Sequence, residues 1–312
     1  MSVDLPNPLN KLAAELADDL TRRYAIDREK AFESVVAMWA KDAALLKAAN
    51  KEARPERLRR MKCFKNAVKK SKSTIYYDLR RYRADDDVFE QAVQRLRDLP
   101  KDATPSALKD VLLPVAQSHI STSERLPHRE TFFQALKDTI GVPASILDVG
   151  CGVMPLIFPW DGPPFVDTSG PSTSRPKIEC YCAADRDEKA IQTVQAYADW
   201  RADDRLIARH WDLSEGWRPL LEASGRESFD VALMLKLIPV VQRRSPELLS
   251  VLAEVPAKRI VVTGSRQSMV KRKSIERRES GILQDFAVNF GFVQSASFET
   301  EDEIGFLLEK HQ

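Results

Sequence analysis

The stretch from Ser145 to Trp160, Ser-Ile-Leu-Asp-Val-Gly-Cys-Gly-Val-Met-Pro-Leu-Ile-Phe-Pro-Trp, constrains the fold more than any other part of the chain. Ile146, Leu147 and Val149 are apolar without a helical period and run straight into Gly150-Cys151-Gly152. This is the pattern of a buried parallel strand ending in a tight turn. Two glycines separated by one residue let the backbone turn sharply and approach a ligand, because neither carries a Cβ. A nucleotide-like cofactor is expected here. A dinucleotide fingerprint needs a third glycine three residues after Gly152, where this chain has Pro155. A phosphate-cradling P-loop needs a lysine followed by Ser or Thr after the glycines, and none follows. NAD and ATP are disfavoured on those grounds.

What remains is an acid, Asp148, followed by Gly-x-Gly, which resembles the first motif of class I S-adenosylmethionine methyltransferases. A purely structural strand and turn fits the same residues. The 312 residues suit one large or two ordinary domains. With 43% hydrophobic and 30% charged residues the composition is that of a soluble globular protein. There is no apolar run of about 18 residues, and Met-Ser-Val-Asp-Leu-Pro lacks a signal-peptide core, so a cytoplasmic protein without membrane association is expected. Cys63, Cys151, Cys180 and Cys182 are too few for a disulfide framework. Cys180 and Cys182 have no second Cys or His pair nearby, so buried thiols and no metal are expected.

The net charge of +2 conceals a strong asymmetry, because 51–83 holds thirteen Lys and Arg against three acids. Such a one-signed stretch is the footprint of a nucleic-acid-contacting surface, although a charge run is also what a solvated helix face looks like. It falls in a region, 1–117, that reads as helical. Leu9, Leu12, Leu16 and Leu20 keep helical spacing, as do Phe32, Val35, Val36 and Trp39. A third helix over 56–83 would turn Met61, Phe64, Val68, Ile75 and Leu79 inward. It would display Lys62, Lys65, Lys69, Lys70, Lys72, Arg80 and Arg81 outward. Tyr76, Tyr77 and Tyr82 could stack on bases or complete the core. Further helices are expected over 85–99 and from Thr104-Pro105 to about 116.

From 118 onward the pattern becomes α/β. Ser121 and Glu124 make a capping box, predicting a helix that carries Phe132, Phe133 and Leu136 inward, with Arg125 in its first turn. There its guanidinium could hold a carboxylate through a bidentate pair. His119 reads as a hinge residue. Strands are predicted over 146–149, 179–184, 206–210, 229–237, 259–263, 292–298 and 304–309, with a Pro/Ser-rich loop over 161–177. Asp185, at the tip of the second strand, is placed to accept ribose hydroxyls. Asp212, after the third, could accept an adenine amino group with Leu213 or Trp211 against the ring; either acid could instead cap a helix. Lys236 ends the fourth strand, where open α/β sheets place their active sites. After strand five comes a second basic cluster, Arg266, Lys271, Arg272, Lys273, Arg277 and Arg278.

Taken together, the carboxyl-terminal two-thirds resembles the aminoglycoside-resistance 16S rRNA guanine-N7 methyltransferases. The matching segments are His119-Ile-Ser-Thr-Ser-Glu-Arg-Leu126, Ile146 to Gly152 with Pro155 and Pro159-Trp160, Asp185-Arg-Asp187, and Leu235-Lys-Leu-Ile-Pro239. Lys65-Asn-Ala-Val-Lys-Lys also resembles that family's basic helix. The chain departs from the pattern at Thr263-Gly264, Met269-Val270 and Gln242.

The resemblance implies a seven-stranded Rossmann-like methyltransferase domain over 118–312, preceded by a helical, ribosome-binding domain over 1–117. It implies S-adenosyl-L-methionine as cofactor, with Arg125 at its carboxylate, Gly150 and Gly152 at its methionine end, Asp185 on the ribose, and Asp212 with Leu213 around the adenine; Asp148 is expected among the cofactor-binding residues. The partner would be 16S rRNA in the 30S subunit, bound by a monomer and methylated at guanine N7 in the decoding region, blocking kanamycin- and gentamicin-type drugs. Lys236, Arg266 and Lys271 are expected to orient the base or its phosphates, and Lys65, Lys69, Lys70, Lys72, Arg80, Arg81, Arg272 and Lys273 to contact RNA. Another RNA target, or a ribosome-binding protein without catalysis on the same scaffold, fits the same residues.

Overall fold

The computed structural model of the chain describes residues 5–24, 27–78, 86–160, 178–267 and 274–310. Arg80, Arg81, Lys271, Arg272, Lys273 and the Pro/Ser-rich stretch lie outside them. The described residues fall into two compact units, one over 5–78 and one containing the rest.

The first unit is helical: α1 (Asn7–Tyr24), α2 (Arg28–Trp39), α3 (Ala43–Lys51), α4 (Pro55–Leu58) and α5 (Lys62–Asp78). The carboxylates of Asp27 and Asp42 accept the free backbone N–H groups that open α2 and α3. Leu9, Leu12, Leu16 and Leu20 are all buried, as their spacing predicts, with Val35, Trp39, Leu45, Leu58 and Ile75. Each fully buried side chain of this size contributes about 1.5–3 kcal/mol. Trp39 donates its indole N–H to Ser71 Oγ at 3.0 Å, tying α2 to α5. The single helix expected over 56–83 is interrupted. Pro55 forces Arg54 into an extended conformation and opens the one-turn α4, and the chain turns again before α5. On α5, Ala67, Ser71 and Ile75 face inward while Lys65, Lys69 and Lys70 are exposed. Lys72 instead reaches Asp19 at 2.7 Å.

The second unit begins with α6 (Asp86–Asp98), α7 (Pro105–Ser118), α8 (Ile120–Arg125) and α9 (Arg129–Ile140). Then come β1 (Ser145–Val149), β2 (Cys180–Asp185), α10 (Glu188–Arg201), β3 (Leu206–His210), α11 (Arg218–Ser224), β4 (Phe229–Met234), α12 (Ile238–Arg244), α13 (Leu249–Ala253), β5 (Ala257–Ser265), α14 (Glu276–Asn289), β6 (Phe292–Glu299) and β7 (Glu303–Lys310). The strands form one sheet in the order β3-β2-β1-β4-β5-β7-β6, parallel except for the antiparallel pairings of β7. This is the seven-stranded α/β architecture expected from the strand count.

Helices cover both faces, so alternate strand residues enter two cores. Ile146, Tyr181, Ala183 and Leu233 pack with Phe89, Val115, Phe133 and Val194, while Leu147, Cys182, Met234 and Val262 pack with Leu220, Leu252 and Leu283. Burial on both faces explains the unbroken apolar runs of the central strands. The four cysteines are free thiols, and Cys151, Cys180 and Cys182 are buried. Because Phe89, Leu96, Val111 and Val115 join this core, α6 and α7 belong by packing to the sheet unit. Among the described residues the first compact unit ends at 78 and α6 and α7 lie in the second, whereas the sequence reading groups 1–117 together. No described helix is long and apolar enough to cross a membrane, and no group of metal-ligating side chains occurs among the described residues.

Candidate active site at the glycine turn

Strands β1 to β4 carry their carboxyl ends to one edge of the sheet, and the glycine turn lies there. Gly150 and Gly152 both adopt positive φ, +71° and +51°, which residues with a Cβ avoid. Gly150 donates its N–H to Ala184 O at 2.8 Å, holding the turn against the end of β2. Pro155 and Trp160, two of the family-like positions, fix each other through the indole N–H to Pro155 O at 2.9 Å. The Trp160 ring then packs with Phe158 and Tyr181 beneath the turn.

Asp185 ends β2 and points back at the turn. Its Oδ2 accepts the Gly152 N–H at 2.8 Å and its Oδ1 accepts the Asp187 N–H at 2.8 Å. Burial pushes its pKa up, and the two backbone hydrogen bonds oppose that rise. Each oxygen still has acceptor capacity, so the carboxylate suits a pair of neighbouring hydroxyls. Trp211 donates its backbone N–H to Asp185 O at 2.9 Å, which aligns the end of β3 with that of β2.

Asp212, one residue further, is used as a cap: its Oδ1 accepts from Ser214 N and Oγ, while Glu215 accepts the Asp212 N–H. Those Ser214 bonds lower its pKa. Leu213 is partly buried against Trp211 and its neighbours. Of the two roles weighed for Asp212, the observed contacts are those of the cap.

Asp148 lies deeper than a turn residue. Its Oδ2 accepts the Tyr181 hydroxyl at 2.7 Å, while the buried Oδ1 has no hydrogen-bond partner. Burial raises its pKa to about 7 against the opposing effects of Tyr181 and Arg125.

Arg125 departs from its expected setting. The capping box of Ser121 and Glu124 does not form: His119 precedes α8, Ser121 lies inside the helix with Oγ 3.2 Å from His119 Nδ1, and Glu124 is drawn away to a lysine. Arg125 is consequently the last residue of α8, and Phe132, Phe133 and Leu136 are carried by α9.

The guanidinium is buried over the Phe132 ring, with Nε and Nη2 on the carboxylate of Glu303 at 2.5 and 3.2 Å. Its Nη1 lies 3.9 Å from Met154 Sδ. Burial raises the Glu303 pKa, but Arg125 and Lys236 outweigh that and hold it at about 2. Thr263 donates its hydroxyl to Glu303 Oε2 at 2.6 Å and accepts the Lys236 N–H at 2.9 Å.

Lys236 sits just past the end of β4 with φ +61°, an unusual conformation for a residue with a side chain. Its Nζ is 2.5 Å from Glu124 and 3.6 Å from Glu303. Arg125, Lys236, Glu124 and Glu303 thus form one charge-balanced cluster joining α8, β4 and β7 at the edge where the turn lies. Arg266 is not part of it; its Nε is on Glu276 at 2.7 Å and its Nη1 on Thr300 O at 2.8 Å, so it clamps the approach to β7. Glu303 and Tyr181, which sequence reasoning does not single out, and Thr263, singled out only as a departure from the family pattern, complete these contacts. The available signal was an acid opening the apolar run Glu303-Ile-Gly-Phe-Leu-Leu.

The family model described as ribosomal RNA methyltransferase (FmrO) matches residues 88–296. A 16S rRNA (guanine(1405)-N(7))-methyltransferase of Micromonospora echinospora is 30% identical over 185 residues, covering 59% of this chain and 58% of the relative. One of Proteus mirabilis is 24% identical over 210 residues, covering 65% and 66%. The chain thus spans less than two thirds of the length of these curated relatives. Among solved structures, the 16S rRNA methyltransferase RmtF in complex with S-adenosyl-L-homocysteine superposes with a TM-score of 0.56 at 19% identity, covering 97% of this chain and 98% of that one. The 16S rRNA methylase RmtB gives 0.51 at 17%, covering 95% and 98%.

Proposed function

This chain belongs to the FmrO family of ribosomal RNA methyltransferases, and from that membership we propose that it methylates guanine N7 in 16S rRNA of the 30S subunit, using S-adenosyl-L-methionine. The observation that carries the reading is the contact between Asp185 and Gly152 at the end of β1 and β2. It leaves a carboxylate with two half-occupied oxygens beside a turn without side chains, which fits a ribose diol next to a methionine moiety. When bound, the cofactor supplies an electrophilic methyl group. Asp185 holds the ribose, Gly150 and Gly152 admit the methionine end, and Leu213 with Trp211 flanks the adenine. Arg125 supplies positive charge at the amino-acid end from a position fixed by Glu303.

Guanine N7 carries an available lone pair, so the protein has no proton to remove. Its work is positioning and electrostatics. Lys236, already strained into place beside Glu124, is the residue that orients the incoming base. Lys65, Lys69 and Lys70 on α5 supply phosphate contacts on the RNA. The physiological consequence is resistance to decoding-site aminoglycosides in the cytoplasm of the host.

The test is transfer of labelled methyl from S-adenosylmethionine to purified 30S subunits, with naked 16S rRNA and tRNA alongside. The product is mapped by chain cleavage at N7-methylguanine. Label at one decoding-region guanine is the expected result. Label on tRNA or another rRNA site would move the target, and none on any RNA would overturn the reading.

A further inference from the structure

His119 reads from sequence as a hinge, yet its imidazole is buried against the glycine turn. A Cβ built on Gly152 would lie 2.3 Å from His119 Cε1 and 2.4 Å from Nε2, nearer than real side chains approach. Gly152 therefore lacks a side chain for two independent reasons, its φ of +51° and the ring that occupies the space. The ring's other edge is fixed by the start of α8, where Nδ1 lies 3.2 Å from both Ser121 Oγ and Thr122 Oγ1. His119 is only 5% exposed. It fills the space between the helix that ends in Arg125 and the turn whose Gly152 N–H binds Asp185.

We propose that His119 is a positioning residue for the cofactor, acting through Gly152 on the carboxylate of Asp185. The inference rests on the cofactor reading given above. The imidazole sets how far the turn stands from α8, and that spacing fixes the direction of the Gly152 N–H and, through it, the orientation of Asp185. Removing the ring leaves a void that the turn relaxes into, rotating the amide away from Oδ2. The carboxylate then loses its aim at the diol while the sheet around it persists.

The experiment is calorimetric titration of the full chain with S-adenosylhomocysteine, paired with thermal unfolding, for the parent, His119→Ala, Gly152→Ala, the double variant, and Leu283→Ala. Leu283, on α14, is buried in the core lined by Leu220, Leu252 and Phe286 and serves as a control for general destabilisation. His119→Ala is expected to weaken binding about tenfold or more, as small misplacements of a positioned group do. Leu283→Ala should remain within about twofold of the parent at a comparable loss of unfolding temperature. Gly152→Ala should cost less in the His119→Ala background than in the parent, because the steric part of its penalty has gone.

Parent-like affinity in His119→Ala, losses that simply multiply in the double variant, or an affinity that tracks stability in Leu283→Ala would each overturn the proposal. If the parent itself binds no S-adenosylhomocysteine, the cofactor reading fails and this inference falls with it. Parent binding that survives His119→Ala removes the inference alone.

Discussion

Two buried carboxylates in the second unit respond to pH in opposite directions. Glu303 is held at about 2, below its usual 4.5, by Arg125 and Lys236 against the cost of burial. Its contribution is therefore complete above the unfolded value and is lost as pH falls from about 5 toward 2. Asp148 is raised from 3.8 to about 7 by burial, so its ionisation opposes folding, and stability is lost as pH rises from about 4 to 7. Glu303→Gln strands the Arg125 guanidinium and should cost about 3–5 kcal/mol at pH 7. That deficit should narrow at acidic pH. Asp148→Asn keeps an acceptor for the Tyr181 hydroxyl and removes the charge. Its unfolding temperature relative to the parent should rise between pH 4 and 7.5, a gain on the order of 2–4 kcal/mol. Scanning calorimetry of both variants from about pH 2.5 to 7.5, which spans both windows, checks the signs, and parallel pH dependences for the two would contradict this assignment of charge.

Elements meet in this fold where one side chain replaces another that is missing. Gly264 in β5 faces α14, and a Cβ there would lie 2.8 Å from Glu279 Cβ. Glu279 is itself buried and carries Arg243 of α12 and Arg278 at 2.9 and 2.7 Å. Gly264→Ala must push α14 off the sheet and is expected to cost about 1–3 kcal/mol, visible in the denaturant midpoint. A midpoint unchanged within error would mean the helix has room to give.

This packing marks a boundary of what a sequence displays. Thr263-Gly264 stands out there only as a departure from a family pattern. The reason for the glycine is a helix that begins at Glu276, which no local period reveals. The central strands are legible because both faces are buried and the apolar runs are continuous. The capping-box pattern at Ser121 misleads because Glu124 has a stronger partner, Lys236, more than a hundred residues away.

At the scale of the whole chain, the glycine turn and the place of Asp185 at the end of β2 are readable because each follows from a short motif whose backbone geometry is local. The charge cluster around Arg125 is not, since Glu303 enters from the antiparallel strand β7, 178 residues further along the chain. The basic helix lies between these cases. Its one-signed composition is plain, but which lysines remain available depends on packing within the first unit.

Lys72 is paired with Asp19, whereas Lys65, Lys69 and Lys70 are exposed. If α5 binds RNA, replacing those three lysines with glutamine should weaken 30S binding and flatten the plot of log affinity against log salt. The slope should fall by roughly 0.7–0.9 unit for each phosphate that is no longer neutralised. Lys72→Gln should change the slope by less, because its charge is already partly neutralised. Filter binding at several salt concentrations distinguishes the outcomes. A slope unaltered by the triple replacement means the lysines form a solvated helix face, and a Lys72 effect equal to theirs means the ion pair opens on binding.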